Sequence, residues 1–152
     1  SAGPGYRSEN FSATAENTEM SLIKAYDSSA DIKLFNRTFI PTENGFILKD
    51  VFEFLKDCKN IKEHLITLEK AFVSNGQIEL GNGWVVLSDF DSCSVDEIDI
   101  SKDERLKNAW KKDVIYRINL CYKNKENISV AIEGLGEKES LDLSAELENL
   151  IN

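Results

Sequence analysis

The chain has 152 residues, 18 basic and 27 acidic side chains, a formal charge of -9 and 41% hydrophobic content. That composition suits one globular domain with an ordinary core needing no disulfide or metal staple, and the acidity opposes broad electrostatic binding to nucleic acid or anionic membrane. No apolar run approaches the ~18 residues of a membrane span and no signal h-region is legible, so no membrane association is expected.

Residues 1–19 are rich in Ser, Ala, Gly, Asn and Glu, with Tyr6 and Phe11 as their large apolar groups; the composition predicts a disordered leader. Residues 20–152 are expected to form a single domain. Residues 31–40 alternate and are bounded by Pro41 and Asn44-Gly45, which reads as a strand. Leu48, Val51, Phe52 and Leu55 recur at helical offsets, so a helix with one apolar face is predicted there.

From residue 61 the period changes. Ile66, Leu68 and Phe72 step by twos over residues 64–73, while Leu65, Leu68 and Phe72 also fit a helix. The strand reading is preferred because Ser74-Asn75-Gly76 then turns a hairpin into Gln77–Leu80. Residues 84–90 and 93–100 give two further strands, and residues 101–112, with Leu106, Ala109 and Trp110 at helical offsets, a short helix. Val114, Tyr116, Ile118, Leu120 and Tyr122 alternate strictly, which makes residues 113–122 the clearest strand in the chain. Residues 128–135 pair back on it as a hairpin. Leu143, Leu147, Leu150 and Ile151 form an apolar stripe, read as a closing amphipathic helix.

Much chemistry is excluded by what the chain lacks. His64 is the one histidine, so no zinc site can use two, and a nucleophile–histidine site would have to use this residue, which has no Gly-flanked nucleophile pattern to serve. Cys58, Cys93 and Cys121 are odd in number and form no CxxC pair, which fits a reducing intracellular compartment. Asp89-x-Asp91-x-Cys93 begins like a calcium loop, but Ser94 stands where the loop needs glycine and Ile100 where it needs a bidentate Glu. Gly134, Gly136 and Lys138 lack phosphate-loop spacing. No enzyme, metal or cofactor is expected.

The element order, three strands, a short helix and a two-strand hairpin between flanking helices, is that of the five-stranded oligonucleotide/oligosaccharide-binding (OB) barrel. GWVVLSDFDS resembles the second strand of such barrels, and WKKDVIYRINLCYKNKENISVAI the fourth and fifth. With its flanking helices the chain is similar to the small subunits of replication protein A and of the telomere-capping CST complex, across roughly residues 48–152. The resemblance implies a mainly β OB-type barrel with a C-terminal amphipathic helix. It also implies an intracellular location, nuclear in a eukaryote, and a place in a replication or telomere complex on single-stranded DNA. A pleckstrin-homology-like barrel is the competing architecture.

Charge is segmented. Residues 89–104 hold seven acids against one base, residues 105–125 seven bases against one acid, and residues 126–152 seven acids against one base. The basic block offers a single-strand groove in which Trp110 and Tyr122 stack bases and Lys111, Lys112, Lys123 and Lys125 track phosphates. The bland alternative is that the lysines solubilise a hairpin while the rings pack inward, and Tyr122, sharing its face with Val114 and Ile118, favours that role. In the small barrel subunits the C-terminal helix packs on a larger partner, which assigns Leu143, Leu147, Leu150 and Ile151 to partner binding; covering the chain's own barrel is the alternative.

The expectation is therefore a non-enzymatic subunit that meets a larger protein through this stripe and binds single-stranded DNA only weakly by itself. The other class considered is an acidic immunity-type inhibitor whose residues 89–104 mask the basic active site of a toxin or nuclease.

Overall fold

The computed structural model describes residues 8–26, 31–57, 60–74 and 76–135. Their N-terminal strands are β1 (Glu9–Ala13), β2 (Thr18–Ser21), β3 (Ile32–Pro41), β4 (Gly45–Phe54) and β5 (Asn60–Thr67). There follow β6 (Ala71–Ser74), β7 (Gln77–Leu80), β8 (Trp84–Ser88), β9 (Ser92–Asp99), helix α1 (Glu104–Trp110), β10 (Val114–Lys123) and β11 (Asn127–Gly134). The contacts cluster into two compact units, one of Ser1–Lys62, Ser88–Ser92 and Cys121–Ala131, the other of Glu63–Leu87, Cys93–Leu120 and Ile132–Asn152.

The first unit is organised by the β3–β4 hairpin. Its loop is closed by the Thr42 N–H donating to the Gly45 carbonyl at 2.9 Å, and its register sets Phe35 opposite Phe52, Arg37 opposite Asp50 and Phe39 opposite Leu48. Because side chains alternate, these residues and Phe46 share one face. Phe35 stacks on Phe52 at 4.4 Å and Phe39 tilts on Phe46 at 5.0 Å. On the opposite face Lys33 meets Glu53 at 2.9 Å in solvent. β2 pairs with β3 and β1 with β2, while the Phe52 N–H donates to the Glu126 carbonyl at 2.8 Å beside the start of β11. Phe35, Phe52, Tyr122, Ile128 and Val130 are buried here.

In the second unit the strand order runs from the end of β11 through β8 and β7 to β6, and β5-β10-β9 forms a separate three-stranded sheet. The β6–β7 turn has Ser74 opposite Gln77. Gly76 within it has φ +77°, with open space where a Cβ would stand, so backbone conformation rather than crowding selects glycine. Asp103 caps α1, accepting from the Leu106 N–H at 3.0 Å, and Lys111 ends it at φ 56°. Ile78, Val85, Val86, Ile100, Ile115, Ile118 and Leu120 are buried.

This is not the expected five-stranded barrel with a C-terminal helix. Among the described residues neither sheet closes, eleven strands replace five, and α1 is the one α-helix. The clearest misreading lies at residues 48–55. Leu48, Val51, Phe52 and Leu55 do fall at helical offsets, yet Phe46, Leu48, Asp50, Phe52 and Phe54 also alternate. The β-branched and aromatic content then favours a pleated surface, and Val51 and Leu55 end up exposed. Residues 8–19, assigned by composition to the leader, contain β1 and part of β2. The stripe Leu143, Leu147, Leu150 and Ile151 lies outside the described residues.

Candidate functional site

The residues expected to contact DNA divide between the two units. Tyr122, Lys123 and Lys125 belong to the first. Tyr122 is 1% exposed, so its ring has no open face for a base. Its hydroxyl lies 2.7 Å from Ser88 Oγ, which donates to the Ser129 carbonyl at 2.6 Å. Lys125 Nζ sits 5.7 Å from the centre of that ring and pairs with Asp89 at 2.7 Å as well as with the Asp89 carbonyl. The Lys123 N–H donates to Asp91 at 2.7 Å. The hairpin is thus tied down by the acids that precede it. Trp110, Lys111 and Lys112 belong to the second unit and are exposed; Lys112 reaches Glu69 only at 3.9 Å.

Several carboxylates of the acidic run make contacts within the fold. Besides Asp89 and Asp91, Asp96 accepts from Arg117 and Asn119, Asp99 from the Ser101 N–H and Asp103 from Leu106. Most of its carboxylates therefore work within the fold.

The lone histidine joins a polar network on the three-stranded sheet of the second unit. His64 Nδ1 lies 2.7 Å from Asn119 Oδ1. Asn119 Nδ2 donates to Ser94 Oγ at 3.1 Å and to Asp96 Oδ2 at 3.0 Å. Since that amide nitrogen spends both hydrogens, Oδ1 is the acceptor and His64 Nδ1 the donor. Arg117 donates to the same Asp96 oxygen at 2.8 Å. Hydrogen bonds from Arg117, then from Asn119, hold the Asp96 carboxyl below its ordinary value of 3.8. Among the described residues the hydrogen bond to Asn119 orients the imidazole. Among the described residues no group of His, Cys, Asp and Glu could hold a metal ion, and no helix is long and apolar enough to cross a membrane.

An apolar edge is the remaining feature. β6 ends its strand order, and its Phe72 and Val73, on opposite faces, are 40% and 50% exposed. Phe72 lies opposite Glu79, and Glu79 opposite Val85. Glu79 is 8% exposed and has no hydrogen-bond or ion-pair partner among the described residues. As no buried side-chain oxygen or nitrogen lacks a partner, its carboxylate oxygens still reach solvent. Sequence reasoning placed Phe72 on an alternating strand but passed over Glu79, because a charged residue between Ile78 and Leu80 reads as the solvent face of a half-buried strand.

Comparison with known proteins adds no family: no protein-family model matches the chain, and no curated protein matches it in sequence.

Proposed function

We propose that the protein is a non-enzymatic subunit of a larger assembly and works through protein–protein contacts. The observation that carries this reading is the β6 edge, where Phe72 and Val73 stay exposed on a strand with no neighbour on its outer side among the described residues. Soluble proteins guard such edges with charge, proline or a covering element, because unpaired strand groups and apolar side chains invite another chain. Single-stranded DNA, as cargo of that assembly, is left with Trp110, Lys111, Lys112 and the Lys123 side chain as its exposed contacts on this chain.

The test starts from a tagged full chain recovered from its native cell at moderate salt, followed by reconstitution with the purified partner and calorimetry. A defined stoichiometry that Val73→Asp weakens by about tenfold or more is expected, with single-stranded oligonucleotide then titrated onto the pair. Undiminished binding by Val73→Asp would overturn the edge as the interface.

A further inference from the structure

Resting on that reading, we infer that the β6 edge receives an extended segment of a partner protein carrying a lysine or arginine, which reaches across Phe72 to Glu79. A carboxylate with no protein partner and its oxygens at the surface is open to a charge-assisted hydrogen bond from an incoming cation. Glu79 is in that position: 8% exposed, unpaired among the described residues, and open to solvent at its oxygens.

The geometry suits a strand added at β6. Adjacent strands lie about 4.8 Å apart, so an added strand places its backbone about 10 Å from that of β7. The stem of an arginine or lysine on the same face, with the glutamate side chain, spans that gap along the exposed ring of Phe72. That ring already holds a cation: Lys70 Nζ sits 5.6 Å from its centre. A segment's basic side chain would take the same kind of site, attracted first by the ring and then by the carboxylate. On the other face Val73 supplies apolar contact, and the outer backbone groups of β6 supply the ladder that gives strand addition its affinity. A protein of charge -9 further favours a basic segment by steering.

The experiment uses the full chain and a fluorescent peptide in which valine alternates with arginine, beside one in which valine alternates with glutamate, read by anisotropy. The arginine peptide is expected to bind, the glutamate peptide not. Glu79→Gln, close in shape and checked for folding by its thermal melt, should lose about tenfold in affinity, and Val73→Asp all binding.

Equal affinity of the arginine peptide for wild type and Glu79→Gln, with Val73→Asp still inactive, would overturn the cation site while leaving the edge as a contact surface. Indifference to both substitutions would overturn the edge itself and the functional reading with it. A chain lacking residues 136–152 that binds the peptide much more tightly would assign the edge to the chain's own C-terminal segment. A concentration-dependent dimer in sedimentation that Val73→Asp abolishes would assign it to a second copy. Either result overturns the inference.

Discussion

Arg37–Asp50 in the first unit and Arg117–Asp96 in the second join the same two groups on neighbouring strands, and their surroundings make them different interactions. The Asp50 side chain is 3% exposed and takes both arms of Arg37, from Nε at 2.8 Å and from the terminal nitrogen at 2.5 Å. It sits on a face of phenylalanines, with the guanidinium 5.6 Å from the ring centre of Phe35. The Asp96 side chain is 44% exposed, and one oxygen serves Arg117 and Asn119 together. Water screens the second pair more than the first, where it reaches the partly exposed Arg37 but hardly Asp50. A buried pair is costly to break from one side, whereas an exposed one mainly sets the orientation of what it touches, here Asn119 and through it His64.

The largest expected effect breaks the first pair. Asp50→Ala takes from the part-buried Arg37 the carboxylate that holds both its arms, and should cost about 1–3 kcal/mol. Urea unfolding of the full chain measures it, and a loss below about 1 kcal/mol would mean that solvent reaches Arg37 as freely as it reaches Arg117. Replacing both groups, Arg37→Met with Asp50→Leu, should return most of the loss because the guanidinium leaves together with its carboxylate. Failure to recover would show that the pair also selects the hairpin register.

Much of the strand content was legible, and the reason for the rest is physical. β10 announces itself through five alternating residues from Val114 to Tyr122, and the β6–β7 hairpin through Ser74-Asn75-Gly76. The barrel was wrong because periodicity over a short window does not separate a helix from a strand. Leu48, Val51, Phe52 and Leu55 satisfy 3.6 while Phe46, Leu48, Phe52 and Phe54 satisfy 2, and the choice lay with cross-strand partners such as Phe35. Asp50 hid the strand further, since an aspartate in an alternating apolar set reads as an interruption until Arg37 is found opposite it. The basic hairpin was legible as charge but not as availability, because Asp89 and Asp91, which hold Lys125 and the Lys123 backbone, are more than thirty residues away along the chain. Glu79 left no signal at all; its isolation depends on which side chains do not approach it.

A neutral contact in the first unit supplies an intermediate point. Since the Ser88 hydroxyl donates to the Ser129 carbonyl, the Tyr122 hydroxyl donates to Ser88. Tyr122→Phe keeps the buried ring and removes that donor, so it should cost about 0.5–1.5 kcal/mol. The same urea titration measures it. A cost as large as that of Asp50→Ala would mean that the hydroxyl anchors much more than one neutral bond.

The smallest effect is best read through pH. In the folded chain Arg117 and Asn119 hold the Asp96 carboxyl below its ordinary 3.8, so near that value the unfolded chain binds more protons than the folded one. The network's contribution is therefore present above 3.8 and fades as pH falls through the lower folded value. Asp99 is lowered as well, by the Ser101 hydroxyl and then its backbone N–H, and shares the sign. Unfolding midpoints of wild type, Asp96→Asn and Asp99→Asn, followed from about pH 6 to about pH 3, separate the two. The advantage of wild type over Asp96→Asn should shrink with acid and be unaffected by Asp99→Asn. A gap that stays constant would place the value of Asp96 in its shape and hydrogen bonding rather than its charge. Asn119 could then be oriented by a neutral group at residue 96, and the two arginine pairs would differ in kind rather than only in burial.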